Sequence, residues 1–202
     1  MRAVREVVEG AVEAGLEVLS LFAFSQENWQ RPPTEITALM SLLEEYVARE
    51  ADELHQRGVR VCALGALERL TPEASAAVAR VMAQTAGNDR LTLNLFISYS
   101  PRAELVRAAR LLAEDAAAGR VDASAIDEAA FASRLYTASC PDPDLLIRTS
   151  GEQRISNFLL WQLAYAELFI SPVLWPDFTR AELYGAIRDF QLRERRFGRV
   201  PA

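Results

Sequence analysis

The sequence predicts an α/β fold: one domain with a largely parallel central sheet flanked by helices. Three observations predict it. Short apolar runs alternate with longer stretches of helical periodicity along the whole chain. The length of 202 residues, half of them apolar and a quarter charged, describes one globular domain able to bury a sizeable core. Proline, threonine, serine and glycine stand where helices should open or close.

The elements follow in order. Residues 2–14 have helical spacing, with Val4, Val7, Val8 and Ala11 on one face and Gly15 placed as a C-cap. Glu17 to Ala23 reads as a buried strand. After a polar loop from Ser25 to Pro33, a long helix runs from about Glu35 to Gln56, with Thr34 as its N-cap. Its apolar positions are Ile36, Leu39, Met40, Leu43, Tyr46 and Val47. Val59 to Leu64 and Leu91 to Ile97 are strands. Thr71-Pro72 and Ser100-Pro101 open helices, the second reaching about Ala118. A short helix lies around Asp127 to Leu135, and short strands at Leu145 to Arg148 and Glu167 to Ile170. Thr179-Arg180-Ala181-Glu182 reads as a capping box opening the last helix. Ligands gather at the carboxyl ends of parallel strands, so chemistry is expected in the loops after Ala23, Ile97 and Arg148.

Composition excludes several function classes. All 22 basic residues are arginine, which removes Schiff-base and P-loop lysine chemistry. His55 is the sole histidine and sits in a charged helical stretch, leaving little room for a Ser-His-Asp triad or a multi-histidine zinc site. A net charge of -6 argues against general nucleic-acid binding, so an anionic ligand needs a local arginine cluster. Cys62 and Cys140 form no C-x-x-C pair, which fits a reducing cytoplasm. No apolar run reaches the ~18 residues of a membrane span.

Four constellations carry chemistry. Phe24-Ser25-Gln26-Glu27-Asn28-Trp29-Gln30-Arg31-Pro32-Pro33 packs a hydroxyl, a carboxylate, an amide, an indole and a guanidinium into one loop. The competing reading is a plain surface loop with Trp29 tucked onto the core. Arg148 to Asn157 gathers two arginines, hydroxyls and backbone amides suited to a diphosphate; an Arg–Glu network around Glu152 is the alternative. Glu167 is a lone carboxylate in the apolar stretch Ala164 to Ile170, needing a metal or an ionic partner if buried. The run Arg193 to Arg199 is basic, either as a solvated helix end or as a phosphate contact.

Together these motifs, with Trp175-Pro176-Asp177-Phe178 between the last two, resemble the cis-prenyltransferase family, most closely its bacterial undecaprenyl diphosphate synthase branch. The resemblance spans about residues 2–198. It implies a cytoplasmic, Mg²⁺-dependent homodimer, peripheral to the membrane, with a hydrophobic tunnel. Its substrates would be isopentenyl diphosphate and an allylic diphosphate such as farnesyl diphosphate. Its product would be a long cis-polyprenyl diphosphate, delivered to the membrane as a carrier for cell-wall glycans. By the same resemblance, Arg148, Arg154 and Ser156 would hold the diphosphate of isopentenyl diphosphate. Asn28 would lie closest to proton removal, although a diphosphate oxygen or a relayed water is as good a base. Phe24, Ser25, Glu27, Trp29 and Arg31 would shape the reacting centre. Glu167 would bind Mg²⁺, Ala23 and Leu91 would line the inner tunnel, and Leu39, Met40 and Leu43 would form one wall. Arg196 and Gly198 match a motif that reaches across the dimer.

The sequence departs from the family pattern in places. A strand followed by Asp-Gly-Asn-Gly-Arg-Trp is expected upstream of the helix in which Met1 falls. Residues 1–202 are therefore read as one cis-prenyltransferase domain, N-terminally incomplete, and as weakly active or inactive in the form given. Ser98-Tyr99-Ser100-Pro101-Arg102 replaces Asn-Tyr-Gly-Gly-Arg, Ala66 replaces Asp, and Gln153 replaces a His. Two alternatives compete with the transferase: a truncated non-catalytic partner subunit, and a diphosphate-binding protein without transferase activity.

Overall fold

The computed structural model describes residues 2–195, and the cores of these segments form from the apolar stripes named above. The residues cluster into two compact units. One gathers the two ends of the chain, up to Leu16 and from Asp142 onward; the other is the continuous segment Glu17–Pro141. Among the described residues the strands form two ladders, one in each unit, and every pairing within a ladder is parallel, as expected.

In the continuous unit the strands β1 (Val18–Ser25), β2 (Val59–Leu64) and β3 (Leu91–Tyr99) take the order β1-β3-β2. The central strand β3 is buried along almost its whole length, so it reads as a near-continuous apolar run. Alternation along the strands separates two faces. Leu19, Leu93 and Val61 share one register row, Leu21, Leu95 and Ala63 the next. Helices α2 (Pro33–Gln56) and α3 (Pro72–Thr85) pack on each other and on β2. The opposite face carries the polar row Ser20–Asn94–Cys62. There the Asn94 amide, 1 % exposed, donates to Ser20 Oγ at 3.3 Å and to Cys140 Sγ at 3.4 Å. Helices α4 (Pro101–Ala117) and α5 (Glu128–Ala132) complete this unit.

In the other unit α1 (Arg2–Glu13) packs against α6 (Arg180–Gln191), and β4 (Leu145–Arg148) pairs with β5 (Glu167–Ile170). Arg180 lies between the two helices and donates to Glu6 at 3.0 Å, to Glu13 at 2.9 Å and to Glu9. Tyr184 donates its hydroxyl to Glu13 at 2.7 Å.

Several caps differ from expectation. α2 begins at Pro33 with Pro32 in the cap position, so Thr34 is already inside the helix. Two prolines pre-set φ near the helical value and start the helix early. Thr179 occupies its cap position without a side-chain cap bond, and Ser100 likewise. Thr71 and Asp127 do cap, accepting from Ala74 N at 3.2 Å and Ala130 N at 2.8 Å. Gly15 ends α1 with φ +70°. His55 is exposed in the last turn of α2.

Candidate active site

At the carboxyl end of the three-stranded sheet, β1 runs into a 3-10 turn, Gln26–Gln30. The β1–β3 register shifts around Ala23 and Phe24, so the strand bulges before the turn begins. The Ser25 backbone N–H donates to Asn28 Oδ1 at 2.8 Å. Asn28 Oδ1 is thus engaged as an acceptor, and the NH₂ is the donor end of the amide.

Trp29 ties this turn to the other strands. Its indole N–H donates to Ser98 Oγ at 2.9 Å, and its ring meets Phe24 edge-on at 5.1 Å. The Arg69 guanidinium lies 5.0 Å from the centre of the Trp29 ring. Ser98 is fully buried with φ +52°, a left-handed value at a position where the sequence departs from the family's Asn. Gly65 makes the close approach possible. A Cβ there would stand 2.1 Å from the Ile97 carbonyl oxygen, and its φ is +136°. Arg31 is held outward by Glu35 at 2.7 Å, and Glu27 is exposed.

Of the expected tunnel residues, Met40 is 3 % exposed and Leu39 and Leu43 are half-buried on α2. Ala23 is exposed near the carboxyl end of β1. Leu91 is fully buried in register with Val59 at the amino end of β3. Ala23 and Leu91 therefore stand at opposite ends of the sheet.

In the other unit, Arg148 closes β4 and donates through Nη2 to Ser156 Oγ at 3.3 Å. Its Nε is buried and lacks a hydrogen-bond partner. The loop between them turns through left-handed residues, Ser150 (φ +67°), Gly151 (+66°) and Ser156 (+50°). The expectation that its amides are all available is corrected at two positions. Ser150 N donates to Val173 O and Gly151 N to Ser171 O, both at 2.8 Å, stapling the loop to the chain that follows β5. Arg154 is paired with Glu152, so the Arg–Glu network applies to Arg154 and the arginine–hydroxyl pairing to Arg148.

Glu167 is half-exposed rather than buried, and its carboxylate accepts from Arg193 Nη1 at 2.9 Å. The deeply buried carboxylates are others. Glu104, 1 % exposed, accepts from the Tyr99 hydroxyl and the Tyr136 backbone N–H, both at 2.6 Å; Glu50 is 4 % exposed beside Arg49. Among the described residues no three His, Cys, Asp or Glu side chains gather to hold a metal ion. Arg196 and Gly198 lie outside the described residues. Sequence reading missed Ser98, Arg69 and Asp144. Only Ser98 carried a signal, as a departure from the family motif.

The chain belongs to a family of prenyl-transferring synthases, as the match of the family's model over residues 1–198 shows. The family model described as putative undecaprenyl diphosphate synthase matches residues 1–198. An isoprenyl transferase of Geobacter sulfurreducens is 50% identical over 199 residues, 98% of this chain and 81% of that protein. A Pseudomonas aeruginosa ditrans,polycis-undecaprenyl-diphosphate synthase, described as (2E,6E)-farnesyl-diphosphate specific, is 48% identical, covering 98% of this chain and 79% of its own length. Among solved structures, lavandulyl diphosphate synthase from Lavandula x intermedia, in complex with dimethylallyl diphosphate, superposes with a TM-score of 0.94 at 33% identity. That match covers 97% of this chain and 85% of the other. A probable undecaprenyl diphosphate synthase from Campylobacter jejuni gives 0.87 at 35% identity, covering 98% and 90%.

Proposed function

We propose that this chain is a cis-prenyltransferase condensing isopentenyl diphosphate with an allylic diphosphate, farnesyl diphosphate being the primer, to give a long cis-polyprenyl diphosphate. What carries the reading is Arg148: a forked donor at the carboxyl end of a parallel strand, braced by Ser156, with a buried Nε that has no partner. A diphosphate oxygen supplies the missing acceptor. Arg154 joins it by exchanging Glu152 for the ligand.

In the reaction the C–O bond at the allylic C1 breaks and diphosphate leaves. The terminal carbon of the isopentenyl double bond attacks C1, and a C2 proton is lost to place the new double bond. Arginines take up the charge of the leaving group. Asn28 contributes its NH₂ as a donor, because its oxygen already accepts from Ser25. The proton therefore goes to a diphosphate oxygen or a water. Magnesium is an expectation of the family, and no step is assigned to it.

The homodimer and peripheral membrane contact belong to the same proposal. They are supported by exposed apolar side chains on the discontinuous unit, Tyr165 (72 %), Leu174 (56 %) and Leu192 (88 %). No helix among the described residues is long and apolar enough to cross a membrane.

The test is calorimetric titration with isopentenyl diphosphate, followed by turnover of the radiolabelled compound with farnesyl diphosphate and Mg²⁺. Saturable binding with release of diphosphate supports the transferase. Binding without release, both in this chain and in a version extended upstream of Met1, supports the diphosphate-binding or partner-subunit alternative. Absence of binding overturns the assignment of the Arg148 loop.

A further inference from the structure

We propose that Ser98 and Arg69 are positioning residues: between them they clamp the Trp29 indole and so fix the turn that presents Asn28. The use of that turn in catalysis rests on the transferase reading; the clamp itself does not.

Three strand exits converge on one ring, all within the continuous unit. Trp29 follows Asn28 in the 3-10 turn Gln26–Gln30. Such turns are short and weakly held by their own hydrogen bonds, so an anchor outside them decides where they sit. Phe24, near the end of β1, is 5 % exposed and meets the Trp29 ring edge-on at 5.1 Å. Ser98, next to the last residue of β3, accepts the indole N–H on Oγ at 2.9 Å. Arg69 closes the 3-10 turn Leu67–Arg69 that follows β2, and its guanidinium lies 5.0 Å from the ring centre.

The two contacts do different things. The Ser98 bond is directional and sets how deep the ring sits and how it is turned in its plane. Ser98 is itself fully buried at φ +52°, so its hydroxyl has little freedom to follow a ring that swings away. The planar Arg69 guanidinium covers the ring and limits its tilt, which the compact head of a lysine would do less well. Asn28 is bonded into the same turn twice. Its Oδ1 accepts from Ser25 N at 2.8 Å and its carbonyl from Arg31 N at 3.1 Å. A ring that leaves its place therefore takes the neighbouring Asn28 with it, and a displacement of about 1 Å at a reacting centre can cost about 10²-fold in rate.

Nitrogen–proton correlation spectra of the labelled chain and of S98A, S98N and R69Q test the clamp, with W29F assigning the Trp29 indole signal. In S98A that signal should move, and its N–H should exchange with water about tenfold faster, as loss of one hydrogen bond allows. The Ser25 amide and Asn28 NH₂ signals should shift with it. S98N should restore all three, because its side-chain oxygen accepts and asparagine tolerates positive φ. R69Q should shift the Trp29 and Asn28 signals while the indole N–H stays protected. Thermal melts confirm that each variant is folded; if S98A is not, S98G removes the hydroxyl at a φ that glycine adopts freely. In a version extended upstream of Met1, S98A should lower kcat about tenfold to a hundredfold, with KM for isopentenyl diphosphate held within about twofold. For R69Q the fall in kcat should be about threefold to fivefold, as an exposed cation–π contact allows. Indole exchange unchanged in folded S98A or S98G, Ser25 and Asn28 signals unmoved once Trp29 is released, or a Trp29 signal unmoved in R69Q would overturn the proposal. So would S98N as impaired as S98A, or a raised KM with kcat held. If the extended parent makes no product, the transferase reading fails while the spectra still decide the clamp.

Discussion

The Ser25 backbone N–H and the Asn28 side-chain oxygen meet at 2.8 Å, and this bond engages the acceptor end of the Asn28 amide, leaving the NH₂ as its donor end. An aspartate in its place could accept from Ser25 equally well, yet it would present an anionic oxygen where the amide presents a donor. Asn28→Asp should therefore lose activity at least as severely as Asn28→Ala. Loss of a preorganised donor costs about 10²–10³ in rate. Steady-state turnover with labelled isopentenyl diphosphate checks it. An Asn28→Asp variant as fast as the parent would mean that the side chain works as a base.

Arg154 is paired with Glu152, and under the proposed function an incoming diphosphate competes for it. Arg154→Ala should weaken isopentenyl diphosphate binding about tenfold to a hundredfold, the worth of a charge-assisted hydrogen bond. Glu152→Gln should have the opposite sign and tighten binding severalfold, because the competing carboxylate is gone. Calorimetry on the two variants separates the effects; weakened binding in both would mean that Glu152 positions Arg154 and does not compete for it.

Gly65→Ala tests the close approach of the β2 exit to β3. The added Cβ falls 2.1 Å from the Ile97 oxygen at φ +136°, so backbone must move. A loss of about 2–4 kcal/mol in urea unfolding is expected. The shift should also uncouple Trp29 from Ser98, visible as a change in near-ultraviolet circular dichroism.

Acid should loosen α1 from α6. The Arg180 side chain holds the Glu6 carboxyl below its ordinary value of 4.5. A lowered pKa contributes stability that is present above 4.5 and lost as the pH falls through the lowered value. Thermal midpoints should fall with acidification across that window, and Arg180→Gln should flatten the fall. An identical acid profile in the variant would show that other carboxylates set it.

The elements that sequence made legible are those whose signals are local. Thr71-Pro72 and Asp127 mark helix starts because the cap bond spans only three residues. Thr34 was displaced by the two prolines before it, and Thr179 has no cap bond although its helix does begin where expected. The site was legible in its motifs and not in its pairings. Nothing near Trp29 in sequence announces Ser98 or Arg69, because their contact needs the parallel register of β1 on β3 and the turn after β2. Glu167 looked like a buried carboxylate because its partner is 26 residues away. Arg154 and Glu152 were close enough in sequence for both readings, and only side-chain geometry chooses between them.

The clasp of Arg180 on Glu6, Glu9 and Glu13 joins α1 to α6. During synthesis α1 leaves the ribosome long before its partner exists. The Glu17–Pro141 segment, continuous in sequence, can collapse while translation goes on; the unit built from the two ends cannot close until α6 has emerged. Until then the apolar stripe of Val7, Val8 and Ala11 lacks the helix that packs on it. Truncating α6 should therefore be read out first in the behaviour of the amino terminus.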